Sequence, residues 1–153
     1  MSTSQIISEA RVNITNVGTT FVPLISFRRK VGDTANHFIR SYGIDCHTSA
    51  HAIVALILNP DSLTNAAFGA FSFIPAAVTT LEADIAASAI TIGDGYKIWE
   101  GIVDTGSGST TQYIDFRKFT VQPTGSQIIS LVCRAATGTV TMQGAAIRIV
   151  EEW

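Results

Sequence analysis

Charge is scarce in this sequence, and so are cysteine and proline. Only 14% of the 153 residues are Asp, Glu, Lys or Arg, and there are two cysteines and four prolines. Two cysteines cannot form the disulfide framework of a small secreted scaffold. A chain of this length buries about 68–70% of its unfolded surface and needs no such framework. With 46% hydrophobic residues, disorder is excluded as well, and composition predicts one domain over residues 1–153.

Long hydrophobic runs are also missing. The longest uninterrupted apolar run is Ala52–Leu58, far short of the roughly 20 residues that a membrane-spanning helix needs. The first eleven residues lack both a cationic segment and an apolar stretch, so we predict no signal peptide. Without a secretory signal, Cys46 and Cys133 are expected to be reduced and buried.

Neither sign of charge forms a block. The net charge is −2, and the one cationic cluster, Arg28-Arg29-Lys30, is typical of a solvated strand end. The pattern gives no support for nucleic-acid binding. Ser and Thr number 31 against ten Lys plus Arg, whereas about a quarter of residues are charged in an ordinary globular domain. A surface this poor in charge favours association with neighbours, so we predict a homo-oligomer.

What the chain does contain is a series of short segments rich in β-branched and aromatic residues. In the segment Phe21–Phe27, Phe21, Ile25 and Phe27 fall on one face, and Pro23, which lacks an amide donor, predicts an edge strand. The run His51–Leu58 is apolar on both faces and predicts a central strand. Ile128–Cys133 has the same two-sided character.

Turn residues and breaks in the apolar alternation place the remaining strands. Asp94-Gly95 predicts a tight hairpin turn joining Ile90–Ile92 to Tyr96–Ile98. The alternation of apolar and polar residues shifts by one position near Arg117-Lys118 and again at Gly144, which predicts a β-bulge at each place. About eight or nine strands result, with no alternation of strands and helices.

Two segments stay open at this point. Residues 76–89 fit either the single short helix or a strand and loop, since the apolar spacing is helical but thin. Residues 1–10 fit an N-terminal arm or an added edge strand. The strand count and the slips predict an all-β antiparallel sandwich of the jelly-roll type.

The string Asp104-Thr105-Gly106-Ser107, preceded by two apolar residues, resembles the active-site loop of aspartic proteases. That chemistry needs two carboxylates sharing one proton, which a single copy supplies only in a symmetric dimer of the retroviral type. No hydrophobic-hydrophobic-Gly segment follows at a suitable distance. We therefore favour a Gly/Ser-rich turn at Thr105, Gly106, Ser107, Gly108 and Ser109, with the dimeric protease as a remote alternative.

Cys46, His47 and His51 form the second cluster of reactive side chains. Histidines four residues apart can share a metal ion on a helix, but on a strand they lie about 13 Å apart at ~3.3 Å per residue. Adjacent strand residues point to opposite faces, so His47 is not expected to activate Cys46. We predict no metal, no cofactor and no catalytic residue, and hence a protein that is not an enzyme.

Large aromatic side chains give the remaining candidates. Tyr96, Trp99, Tyr113 and Trp153 are of the type that presents platforms to sugars, although such rings more often lie in cores or interfaces. Trp99, Phe119 and Trp153 are our candidates for anchors between subunits. A carbohydrate-binding or adhesive module is therefore the alternative function.

In its low charge, its richness in Ser, Thr, Ala and Gly, and its ending GTVTMQGAAIRIVEEW, the whole chain resembles the small virion proteins of tailed bacteriophages. Head decoration proteins and fibre-tip domains are the nearest types. The resemblance implies a β-sandwich that assembles as a homo-oligomer, often a trimer, and attaches to the capsid or tail without catalysis. The loop of residues 105–109 would then be an exposed tip available to a host glycan, and the protein would be a virion component made in the host cytoplasm. Head and tail locations stay open.

Overall fold

The computed structural model describes residues 4–30, 38–71, 79–103, 110–114 and 127–152, with the backbone alone described at 4, 38–42 and 110–114. These residues form eleven strands: β1 (Ser4–Val17), β2 (Val22–Arg29), β3 (Phe38–Thr48), β4 (Ala52–Leu58), β5 (Ser62–Thr64), β6 (Leu81–Asp84), β7 (Ala89–Thr91), β8 (Tyr96–Val103), β9 (Thr110–Ile114), β10 (Ile128–Ala135) and β11 (Val140–Glu152). The all-β prediction is confirmed.

The strands form two large antiparallel sheets. The first sheet has the order β1-β11-β3-β9, and the second has the order β6-β2-β10-β4-β8. Leaving β6 aside, β1 pairs with β11, β2 with β10, β3 with β9 and β4 with β8, and these four pairs alternate between the two large sheets. The innermost pair, β5 and β7, forms a small sheet of its own. This nesting is the jelly-roll arrangement, in which a folded ribbon of strand pairs is wrapped into a sandwich.

The main core lies between the two sheets, where large side chains such as Ile7, Phe27, Leu56 and Ile147 are fully buried. The second sheet is covered on its outer face as well. There β5 and β7 pair with each other, and Ile90 and Ile92 pack over a smaller buried cluster formed by Ala55, Ile57 and Val132. β4 and β10 are therefore buried on both faces, which confirms the central strand predicted from its two-sided apolar run.

Residues 4–10, for which an arm and an edge strand were both open, form the beginning of β1 at one edge of the first sheet. Its partner β11 changes its buried face where the register with β3 shifts, between Met142 and Gly144. The slip predicted at Gly144 is thus confirmed. Beyond it, every second residue from Ala145 to Glu151 points inward.

The prediction that Pro23 lies on an edge strand is wrong, because β2 has β10 on one side and β6 on the other. β6 pairs only with Ser26–Arg29. The missing N–H of Pro23 therefore costs no hydrogen bond to β6. The register between β2 and β10 shifts between Leu131 and Val132. Phe21 therefore does not lie on the inward face that Ile25 and Phe27 share. Phe21 packs on the smaller outer cluster, while Ile25 lies in the main core.

The predicted hairpin around Asp94-Gly95 is also wrong, although the turn is present. The strands that it connects diverge, since β7 pairs with β5 and β8 pairs with β4. The turn is held by the segment after β4 instead: Asp61 accepts the Asp94 N–H at 3.0 Å, and the Asp61 N–H donates to Ile92 O. Contacts with Asp61 therefore hold the turn, and β7 and β8 do not pair with each other across it.

Residues 79–89 contain β6, a loop and the start of β7, which settles the open segment as strand and loop over the part that is described. The slip near Arg117-Lys118 lies outside the described residues. Within the described ranges no helix is long and apolar enough to cross a membrane.

A buried polar cluster closes one end of the sandwich. The fully buried Glu151 accepts hydrogen bonds from the Thr79 hydroxyl, the Thr80 hydroxyl and the Thr80 N–H at 3.0–3.2 Å, and from Gln5 Nε2 at 3.0 Å. Arg29 donates to the same Thr80 hydroxyl from β2. One carboxylate therefore connects β11 and β1 to the segment that leads into the second sheet.

Candidate assembly surface

The strand β1 lies at an edge of the first sheet and carries two large apolar side chains that are exposed. Ile6 and Val12 are 65% and 63% exposed on the outer face, with Ser8 and Ala10 between them. β1 pairs with β11 on one side, and no strand of the described residues pairs with its other side. An edge of this length and polarity is a template for pairing with another chain.

The charged residues of β1 do not shield this edge, because they point between the sheets. Arg11 Nη1 donates to the carbonyls of Pro23, Leu24 and Ala87 at 2.9–3.4 Å, which ties β1 to β2 and to the loop after β6. Glu9 is 8% exposed, and its Oε1 accepts the Ala10 N–H at 3.0 Å. The outward face of residues 6–12 therefore carries no charge.

A shallow depression of about 240 Å³ continues this uncharged stripe across the outer face of the first sheet. The residues that line it include Ala10, Val12, His47, Gly144 and Ala146. The small residues among them keep the face low. Asp45, which also borders the depression, is ion-paired with Arg148.

The strand β8, at an edge of the second sheet, carries two further large exposed apolar side chains. Ile102 is 67% exposed and Tyr96 is 56% exposed. Trp99, our candidate anchor on this strand, is half-buried against the main core. Its ring lies over Gly101, where an added Cβ would come within 2.7 Å of it. Glycine at this position lets the indole lie flat along the strand.

A pocket that the sequence did not reveal lies on the outer face of the second sheet. It measures about 430 Å³ and is lined by Thr19, Thr20, Phe21, Ile90, Ile92 and Arg134. The Arg134 guanidinium lies 5.5 Å from the centre of the Phe21 ring, within the range of a cation–π contact. The register shift that turns Phe21 outward creates this site, which strict alternation along β2 conceals.

Cys46 and Cys133 are buried and free, which confirms the prediction made for both. Burial is the main cause that raises the pKa of each thiol to about 12; Asp45 adds to the effect at Cys46, and Cys46 adds to it at Cys133. A thiol in this state is a poor nucleophile, because the reactive form is the thiolate.

The histidine cluster is dispersed by the strand geometry. Cys46 points into the core, whereas His47 lies half-buried on the opposite face of β3 and His51 is exposed beyond the strand end. Among the described residues, no three potential ligands lie close enough to hold a metal ion. The opposite orientation of Cys46 and His47 is as predicted from the strand period.

Several of the sequence candidates lie outside the described residues. These are Asp104, the loop Thr105, Gly106, Ser107, Gly108 and Ser109, and the anchors Phe119 and Trp153. Their roles stay predictions. The side chain of Tyr113 is likewise not described.

No family model matches the chain, and neither does any curated protein. Among solved structures, the chain is similar to the human polyomavirus 6 VP1 pentamer, with 6% identity, 96% of this chain and 94% of that chain covered, and a TM-score of 0.37. It is similar to PirA with 10% identity, coverages of 97% and 92%, and a TM-score of 0.30. It is also similar to the tobacco streak virus coat protein, with 10% identity, 94% of this chain and 85% of that chain covered, and a TM-score of 0.30. Likeness at this level carries no argument about function.

Proposed function

We propose that the protein is a structural component of a virus particle that assembles from copies of itself. The observation that carries the proposal is the uncharged outer face of the edge strand β1, on which Ile6 and Val12 are each more than 60% exposed. Isolated apolar residues are normal on a surface, but edge strands are usually protected by charge or proline. Jelly rolls are used for this purpose in viral capsids.

The finer proposal follows the resemblance to tailed-phage virion proteins. The protein would decorate a phage capsid or attach to the tail as a homotrimer, without catalysis. Trp99, Phe119 and Trp153 are the proposed anchors between copies, and residues 105–109 form the proposed tip toward a host glycan. Burial of apolar area between identical subunits would supply the binding energy.

The test is sedimentation velocity of the purified chain over a wide range of protein concentrations, with negative-stain microscopy of the same samples. We expect a concentration-dependent shift from monomer to trimer and larger assemblies. A chain that stays monomeric up to millimolar concentration would contradict the proposal, since the apolar edge strand β1 would then have no partner among its own copies.

The pocket beside Phe21 favours one second function, a carbohydrate-binding module. Threonine hydroxyls, an aromatic ring and a guanidinium around a cavity of about 430 Å³ offer the stacking and hydrogen bonds that sugars need. A glycan array separates this function from assembly. Specific binding that is lost in Phe21→Ala and Arg134→Ala, but kept in Ile102→Lys, would support it.

A further inference from the structure

We infer that residues 6–12 of β1 pair antiparallel with the same residues of a second copy. The two-fold axis that relates the copies passes midway between the two Glu9 residues. The pairing joins two four-stranded first sheets into one continuous sheet of eight strands. This inference rests on the proposed function, because it names the surface through which two copies of an assembling protein meet.

The direction of the backbone amides along β1 provides the first step. The Ala10 N–H donates to the side chain of its neighbour Glu9 at 3.0 Å. We therefore place this amide on the side of β1 away from β11, together with the amides of Ser8 and the other even-numbered residues, because backbone groups alternate along a strand. These amides and their carbonyls are the groups that a second strand would bind.

The register follows from the two faces of the sheet. Opposed residues of an antiparallel pair lie on the same face, so exposed even-numbered residues must oppose even-numbered residues. With the axis at Glu9, Ile6 opposes Val12 of the second copy, and the symmetry repeats this apolar contact. An axis at residue 8 or at residue 10 would instead place Val12 opposite a serine.

The same register suits the backbone. Ser8 and Ala10 of the second copy become a hydrogen-bonded pair, in which each N–H donates to the opposite carbonyl. The Ala10 N–H exchanges its bond to Glu9 for one to Ser8. The stretch ends at Asn13, whose φ of 59° interrupts the extended backbone.

Two Glu9 side chains face each other at the axis, and the repulsion between their like charges opposes the pairing. Most of the desolvation cost is already met within each subunit, since Glu9 is 8% exposed there. Because the contact is two-fold, it differs from the three-fold contact implied by the resemblance. A closed assembly with both kinds of axis uses each of them once per subunit.

The register is tested by mixing two variants that each add one exposed cysteine to the two buried ones, Ser8→Cys and Ala10→Cys, under mild oxidation. We expect a disulfide-linked dimer on a denaturing gel in the mixture, since the two Cα atoms would lie about 5.5 Å apart. Either variant alone should cross-link at least tenfold more slowly, because its own copies lie diagonally, about 7–8 Å apart. Equal rates in all three samples would overturn the register.

The surface is tested by Ile6→Lys and Val12→Lys, with Ile102→Lys as the control of equal exposure on the other sheet. All three side chains are solvent-exposed, so folding should be unaffected. We expect the first two to raise the dissociation constant of the dimer at least tenfold and the control to leave it within twofold. If the chain assembles but these variants behave like the control, the inference fails while the proposed function stands. If the wild-type chain does not associate at all, both fail.

Discussion

At the scale of single residues, Glu151 joins the two sheets through one buried carboxylate. Replacing it by alanine leaves the hydroxyls of Thr79 and Thr80, the Thr80 N–H and the Gln5 amide without their acceptor. Buried donors without partners are costly, so we expect Glu151→Ala to lower the free energy of unfolding by about 3 kcal/mol or more. Urea denaturation followed by fluorescence measures the change.

Glu100→Ala is the matched control. Glu100 forms an exposed ion pair with Lys97 at 2.7 Å, and exposed pairs contribute about 0–1 kcal/mol. If the two glutamate variants lose the same stability, the buried cluster is not the connection between the sheets that its hydrogen bonds indicate.

The two buried thiols predict how stability depends on pH. Their pKa is raised from an ordinary value near 9 to about 12, so above pH 9 the unfolded chain binds fewer protons than the folded one. The free energy of unfolding should therefore fall as the pH rises from about 9 toward 12. Each thiol contributes up to about 1.4 kcal/mol per pH unit.

The double variant Cys46→Ala/Cys133→Ala isolates this contribution. Between pH 8 and 10.5, its stability should decline less steeply than that of the wild type, whatever its stability at neutral pH. Parallel curves for the two proteins would show that the cysteines do not titrate differently in the folded and unfolded states.

At the scale of elements, the turn of residues 92–95 depends on the backbone that follows β4. A Cβ at Gly95 would lie 2.7 Å from Asn59 O and 2.9 Å from Leu58 O. Gly95→Ala should therefore lower the free energy of unfolding by about 2 kcal/mol or more. Gly138→Ala, with φ +64° and open space, should cost on the order of 1 kcal/mol.

Gly18→Ala completes the series, because Gly18 has open space and no positive φ. Its unfolding free energy should stay within about 0.5 kcal/mol of the wild type. Thermal unfolding ranks the three variants. A Gly95→Ala protein as stable as Gly18→Ala would mean that the turn does not dock as described.

Strand positions could be predicted from the sequence more readily than strand partners. The two-sided apolar run that became β4 and the slip at Gly144 are local patterns, and both hold. The turn at Asp94-Gly95 is local too, but pairing across it competes with the long-range contact to Asp61, which wins. The edge-strand prediction from Pro23 failed for a similar reason. Whether a neighbouring strand reaches Pro23 depends on the length of β6, which the residues around Pro23 do not determine.

The candidate surface was predictable only in its general character. Low charge pointed to association, yet it did not identify which strand would have a free edge. Ile6 and Val12 become conspicuous only once β11 is placed beside β1 and the inward residues are distinguished from the outward ones. The pocket at Phe21 depends on a bulge in β2, where Leu24 has no partner in β10, and the residue pattern around Phe21 does not show that the alternation breaks there.

At the scale of the whole molecule, the two ends of the described chain meet, since Ser4 is opposite Glu152 in the first sheet. A circular permutant that joins Glu152 to Ser4 by a short Gly/Ser segment and opens the exposed turn at residues 136–138 should fold. We expect its melting temperature to lie within about 5 °C of the wild type. Circular dichroism provides the measurement, and a permutant without cooperative unfolding would contradict the prediction.

The pairing of the first strand with the last has a consequence for synthesis. At roughly 5–20 residues per second, roughly 7 to 27 s pass between the making of β1 and that of β11. Throughout that time the edge of β1 that pairs with β11 has no partner from its own chain. The contact inferred for β1 can therefore form between two chains before β11 of either has been synthesised.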